Sequence, residues 1–365
     1  RVKNFPLLIK LGFSHHPDFS LDTFSDPVSG GDLRFFNENN RELEYEIDEW
    51  NATGESLVWV RVIDFSTESK ILARWGNDLN TTAPPSSLIW SEFEGVWHLH
   101  DNLDSSSNGR NGSPTANVSF SGNGLIGESI SLTGSDHIEV STFNGISSDN
   151  PRSVSLWFKS SANSGNLLGW GSTGNFWDIA WNSQGPLVST GNTNGKRQAF
   201  GTLSDDQWHH LLLSYPGNGA DLNTTRIYLD GNLADVPASS VSGLVNTSLS
   251  SGVKIGANFD DSSSMTGLLD EVRISNQNRG QAWAKYSFLN QGGGSSLLTY
   301  DLEYLLPPLL PSDINITVVT NELMSFKIQS NPPATSYSVI NSNLPSGLNF
   351  NNATGILSGT PTGPT

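Results

Sequence analysis

The chain has 365 residues, 36 of them acidic and 19 basic, for a formal net charge of −17. That length exceeds one ordinary domain, and that charge argues against nucleic acid or anionic membrane as a partner, because binding phosphates requires Lys and Arg. The absence of cysteine excludes disulfides, thiol catalysis and thiolate metal sites. No apolar run reaches the ~18 residues of a membrane span. Thirty-six Gly, 18 Pro and 11 Trp fit short strands joined by turns, hence an all-β chain of tandem β-sandwiches.

The first segment, residues 1–87, closes in the breaker cluster TTAPPSS at 81–87. Its expected strands are FPLLIKL (5–11), DLRFF (32–36) and SLVWVRV (56–62). The last of these alternates, with Leu57, Trp59 and Arg61 on one face and Val58, Val60 and Val62 on the other. The pattern GGDLRFFNENNRELEYEIDEWN, SLVWVRV, KILARWGN resembles a bacterial domain of unknown function that often precedes laminin-G-like domains in secreted proteins. Members usually begin one strand earlier, so the amino-terminal edge reads as trimmed. The resemblance implies no activity. YEIDEWN also looks like the Glu-x-Asp-x-x-Glu strand of laminarinase-type glycoside hydrolases, whose alternate carboxylates stand about 5–5.5 Å apart. Asn51 occupies the place of the second catalytic Glu, and the stretch lies outside the central segment, so it reads as an ordinary strand of this first domain.

The second segment, 88–291, carries short turn-bounded strands: HIEV (137–140), VSLWF (154–158), HHLLLSY (209–215), RIYL (226–229) and EVRI (271–274). Asp230-Gly231 predicts a hairpin turn, since both central positions of such a turn need positive φ. RGQAWAKY (279–286) is the expected closing helix. The ordered run GVWHLHD, DSSSNGRNG, SLTGSDHIEV, VSLWFKS, DDQWHHLLLSY, RIYLDG, LLDEVRIS resembles the laminin-G-like, concanavalin A-type jelly roll. This implies a two-sheet sandwich that binds rather than cuts. His209 and His210 fall on opposite faces of one strand, which suits packing better than a shared metal.

The resemblance also implies a calcium ion, with a Gly/Asn-rich loop paired to the Asp that opens the penultimate strand. Calcium takes six to eight oxygens from carboxylates, amides and carbonyls. The implied ligands are Asp104 and Asp270, with Asn108 or Asn111 adding oxygens. Strand parity groups Asp270 with Val272 and Ile274 on the core side, where an unpaired carboxylate would cost several kcal/mol. The other reading is a polar turn at DSSSNGRNG with Asp270 capping nearby amides. A second candidate site is aromatic: Trp177 and Trp181 share a strand face with Ile179, Trp170 lies on the preceding strand, and Asp178 stands opposite. These could form a glycan platform, or the Trp could be core.

GGGSS (292–296) is a flexible linker. In the third segment, 297–365, LPSGLNFNNATGILSGTPT resembles the Ig-like domain repeated in bacterial surface proteins. That family continues with two further strands, so the segment reads as partial, either as a fragment or as a subunit completed by a neighbour's strand in a fibre. The expected function is an extracellular, secreted or surface-attached bacterial adhesion module. It would recognise a glycan or a cell-surface protein through a calcium-stabilised domain without catalysis. The alternatives are a fibre or surface-layer subunit, and the targeting part of a larger polysaccharide-degrading enzyme.

Overall fold

The computed structural model describes residues 1–12, 15, 21–77, 82–83, 88–121, 123–191, 194–198, 203–234, 237–238, 243–292, 297–300, 319–328, 336–337 and 344–362. The chain divides into two compact units, one of residues 1–19, 35–72 and 84–299, the other of 20–34, 73–83 and 300–365. The all-β expectation is met.

The amino-terminal strands are β1 (Val2–Leu11), β2 (Arg34–Asn37), β3 (Glu42–Leu43), β4 (Tyr45–Glu49), β5 (Ser56–Phe65) and β6 (Ile71–Arg74). β5 lies between β1 and β4, with Leu8 opposite Trp59 and Glu46 opposite Trp59 on the other side. β2 pairs β3 through Phe35 and Leu43.

Then comes the jelly roll. β7 (Gly95–Trp97), β8 (Ser113–Pro114), β9 (Ser119–Ser121), β10 (Ser129–Thr133), β11 (Ile138–Val140) and β12 (Arg152–Lys159) form its first half. β13 (Gly165–Ser172), β14 (Asn175–Asn182), β15 (Gly185–Thr190), β16 (Asn194–Gln198) and β17 (Trp208–Tyr215) follow. The last strands are β18 (Arg226–Leu229), β19 (Asn232–Leu233), β20 (Pro237–Ala238), β21 (Val253–Ile255) and β22 (Thr266–Ser275), before helix α1 (Gln281–Gln291). One sheet runs β19-β18-β17-β12-β22-β10-β9, with β7 also on β22; the other runs β20-β16-β15-β14-β13-β21-β11-β8. Between them lies one continuous apolar core, including Val154, Leu156 and Phe158 of β12 and Leu211 and Leu213 of β17. Alternation along VSLWF and HHLLLSY explains it: every second residue faces inward. The Asp230-Gly231 turn has φ of 50° and 75°, as expected, and joins Leu229 to Asn232.

The other face of the first jelly-roll sheet is also covered. α1 seals part of it: Trp157 stacks on Phe288 at 5.7 Å and donates its indole N–H to Gln291. α1 also ties down β1, because Asn290 accepts from the Leu8 N–H (2.7 Å) and donates to the Leu8 carbonyl (2.9 Å). That satisfies backbone groups an edge strand would leave open.

Strand parity misplaces Asp270. Between the pairs Ser155–Arg273 and Trp157–Asp270 the β12–β22 register shifts, so Glu271 and Val272 together oppose Leu156. Glu271 takes φ 52°, the two-against-one count of a β-bulge. Leu269, Val272 and Ile274 remain in the core, while Asp270 pairs with Trp157 on the outer face. A single inserted residue reverses the side of everything before it.

In the second unit the described strands are β23 (Met324–Lys327), β24 (Leu348–Asn351) and β25 (Ile356–Gly359), in the order β23-β25-β24. The Thr-Gly element of the Ig-like motif makes the β24–β25 turn, with Gly355 at φ 68°.

Candidate functional site

The implied calcium residues do not form an oxygen cage. Asp104 Oδ1 accepts from the N–H groups of Val96 and Ser106, both at 2.9 Å. Its Oδ2 accepts from Ser106 Oγ and the Arg110 N–H, both at 2.8 Å. Four donors saturate that carboxylate. Asn111 Oδ1 accepts the Asp104 N–H, and Asn108 Nδ2 donates to the carbonyls of Phe93 and Glu94. Asp270 Oδ2 accepts the Leu125 and Ile126 N–H groups. Backbone and hydroxyl donors take up both oxygens of Asp104 and one of Asp270, so these residues as arranged do not present the six to eight converging oxygens that calcium takes. The loop is the polar turn, and Asp270 caps amides.

The tryptophan platform is likewise corrected. Trp170, Trp177 and Trp181 are at most 2% exposed and belong to the inter-sheet core. Trp170 stacks on Trp177 at 6.2 Å, Trp181 packs on Phe158 at 5.2 Å, and the Arg152 guanidinium sits 5.0 Å from the Trp177 ring. Parity assigned these rings to a common face without saying which face was inside. Asp178 points the other way. It accepts the Phe259 N–H at 2.9 Å beside a Phe176–Phe259 stack, and burial lifts its pKa to about 7 against that hydrogen bond. The two histidines part as expected: His209 bonds Asp230 and Asp205, while fully buried His210 is held neutral by burial, its pKa near 3.

An open cleft of about 680 Å³ lies where the loop after β11 meets the segments just before β7 and just after β22. Arg110 lies 3.9 Å over the Phe143 ring and pairs with Glu94 at 2.7 Å. Asn144, Asn150, Asn276 and Gln277 complete the polar wall. The amide nitrogens of Asn144 and Asn150 bond the carbonyls of Leu249 and Ser147, and among the described residues no donor engages either Oδ1. Gly145, at φ 83°, turns the wall so close to Trp170 that a Cβ would meet the indole at 2.2 Å. The DSSSNGRNG loop thus has a positioning role: Asp104 holds the Arg110 backbone, and Asn108 clamps the segment carrying Glu94, just before β7.

Sequence reasoning missed a third cluster, on the outer face of the first jelly-roll sheet. His98 Nδ1 lies 2.8 Å from Glu271 Oε1 and 3.8 Å from Asp48 Oδ2, and its Nε2 lies 3.4 Å from Glu46. Trp59 stacks on His98 at 5.7 Å and donates to Asp48 Oδ2 at 3.2 Å. Arg273 pairs with Glu271 and lies 4.2 and 4.7 Å from the Trp59 and Trp90 rings. Burial opposes the charge on His98, but Asp48 and Glu271 outweigh it and raise its pKa well above the usual value. Burial lifts Asp48 as well; for Glu271 it is overcome by His98 and Arg273, and that pKa falls. Burial and the neighbouring Glu271 push Asp270 far up, and two amides only partly offset them. The available signal was alternation: Glu46-x-Asp48 and His98-x-His100 each bring two titratable side chains to one side of the chain.

Fold and sites together define an all-β chain built around a concanavalin A-like jelly roll with a polar cleft. Family models match in the same order as the resemblances read from the sequence. Residues 29–101 match a domain of unknown function (DUF2341), 132–285 the concanavalin A-like lectin/glucanases superfamily (Laminin_G_3), and 307–365 an Ig-domain family (He_PIG). No curated protein matches the chain. Among solved structures, domain 4 of AbnA, a GH43 extracellular arabinanase from Geobacillus stearothermophilus in complex with arabinotriose, is 20% identical. The match covers 53% of this chain and 97% of that one, with a TM-score of 0.41. The binding domain of botulinum neurotoxin serotype D is 14% identical over 54% of this chain and 50% of that chain, with a TM-score of 0.38. The binding domain of Paraclostridial Mosquitocidal Protein 1 is 12% identical over 54% and 51%, also at 0.38. Among the described residues, no helix is long and apolar enough to cross a membrane.

Proposed function

We propose that the jelly roll is a non-catalytic recognition module of an extracellular protein, and that it holds a neutral glycan in the cleft beside Arg110 and Phe143. The observation that carries this reading is the chemistry of the wall. Its cation, Arg110, is already neutralised by Glu94, so an ionic ligand gains little there. Unengaged carbonyl oxygens on Asn144 and Asn150 suit hydroxyl donors, which a sugar supplies in quantity. The cleft volume falls within the ~300–1,000 Å³ range of small-molecule sites.

Glycoside hydrolysis needs two carboxyl groups flanking the bond. Glu94 is the single carboxylate among the lining residues, and Glu46 and Asp48 are buried against His98. The test is a glycan array followed by titration calorimetry on wild type, Asn150→Ala and Asn144→Ala. The expected result is binding of neutral oligosaccharides, at least tenfold weaker in each variant, with no product released. Equal affinity in all three proteins would move the site elsewhere, and turnover of a bound polysaccharide would end the non-catalytic reading.

A further inference from the structure

The buried cluster beneath the β1-β5-β4 sheet has more negative charge than its own cations balance. Among the described residues, Glu46, Asp48, Asp270 and Glu271 gather around two buried cations, Arg273 and His98. Asp48 Oδ1 is buried and accepts no hydrogen bond, although His100 Nδ1 stands 3.3 Å away outside bonding geometry. Asp270 Oδ1 is also buried without a partner. Leaving carboxylate oxygens unpaired in a dry interior is costly, and proteins relieve it by protonation or by a metal ion.

The arrangement favours the ion. One ligand atom each from Asp48, His98 and Glu271 lie within 4.8 Å of one another. A tetrahedral ion with bonds of ~2.0–2.1 Å spaces its ligand atoms roughly 3.3 Å apart. The observed 2.8 Å and 3.8 Å separations from His98 Nδ1 bracket that value. His100, two residues on, stacks its ring parallel to that of His98 within 5° and is 41% exposed, so it borders the group on the solvent side and leaves the fourth position to water. The surrounding contacts are those that orient metal ligands. Glu46 faces the far nitrogen of His98, Trp59 donates to Asp48, and Arg273 holds the second oxygen of Glu271.

We infer that Asp48, His98 and Glu271, flanked by His100, bind a divalent transition-metal ion of the zinc class. One imidazole and two carboxylates, three protein ligands in all, suit such an ion better than calcium, which takes six to eight oxygens. The ion would join the amino-terminal sheet to the jelly roll, since Asp48 comes from β4 and Glu271 from β22. This site is separate from the glycan cleft, and either reading can fail without the other.

The experiment uses the full chain, stripped with chelator, loaded with zinc or cobalt(II) and desalted. Elemental analysis should find about one zinc per chain, cobalt should give a tetrahedral visible absorption band, and zinc should raise the melting temperature. His100→Ala alters an exposed side chain and keeps the fold, checked by circular dichroism; it should lose metal affinity by roughly 10–100-fold, the range seen when a metal's supporting contacts are removed. Asp48→Asn should abolish the cobalt band. Wild-type protein that retains no stoichiometric zinc and shows no cobalt band would overturn the inference. So would folded His100→Ala and Asp48→Asn proteins that bind zinc as tightly as wild type.

Discussion

The first jelly-roll sheet is covered on its inner face and over the centre of its outer face, and the two faces are built in opposite ways. Its inner face meets Trp170, Trp177 and Trp181 in an apolar layer. Its outer face meets Trp59, Trp90 and Trp157 interleaved with Glu46, Asp48, His98, Asp270, Glu271 and Arg273. An apolar layer needs only volume and area, and its stabilisation scales with what is removed from water. A charged layer needs every partner present, because one lost ion leaves the other uncompensated.

The largest effects should come from removing one member of either layer. Arg273→Leu removes one of the two cationic partners of buried Glu271 and should cost about 3–5 kcal/mol; adding Glu271→Gln should recover part of that loss in denaturant titration. Trp177→Ala should cost about as much, 3–5 kcal/mol through transfer and cavity terms, and no second-site change of charge should repair it. A rescue in both layers, or in neither, would erase the distinction.

Two buried titratable groups, one on each sheet, sharpen the comparison through pH. Asp178 has a folded pKa of about 7 against 3.8. The folded state therefore binds the extra proton, and stability falls as pH rises from about 4 to 7. Asp178→Asn should remove that slope and add up to about 4 kcal/mol at pH 8, at ~1.36 kcal/mol per unit. His210 has a folded pKa of about 3 against 6.5. Here the unfolded chain binds the proton, and stability falls as pH drops from 6.5 to 3. His210→Gln should flatten that limb. Stability curves of the two variants should diverge below pH 6.5.

The smallest effect concerns the DSSSNGRNG loop. Asp104→Asn loses one acceptor of several and should cost about 1–2 kcal/mol, as a lost cap does. Millimolar calcium should leave the melting temperature of wild type and variant unchanged. A calcium-induced rise that Asp104→Asn abolishes would restore the ion to this loop.

Strands and turns were readable because they rest on local chemistry. VSLWF and HHLLLSY alternate, and Asp230-Gly231 accepts positive φ, whatever surrounds them. The family order was readable for the same reason, carried by motifs such as LLDEVRIS and LPSGLNF. The sites were less so. Trp177 and Trp181 were correctly placed on one face, but a period of two does not say which face meets a second sheet. Asp270 was put on the core side because no local signal announced the bulge at Glu271. Glu46-x-Asp48 and His98-x-His100 were each visible as alternating pairs, 50 residues apart, with nothing to show that they converge.

Amino-acid order alone determined that this chain is all-β, that its centre is a two-sheet jelly roll and where its hairpins turn. Each of these depends on neighbours within a few residues. Tertiary structure alone decided that the tryptophans are core, that the polar loop braces a cleft through Asp104 and Asn108, and that four acids gather at one site. Burial, the partners of a carboxylate and the register across a bulge are set by segments far apart in the chain, and only folding brings those segments together.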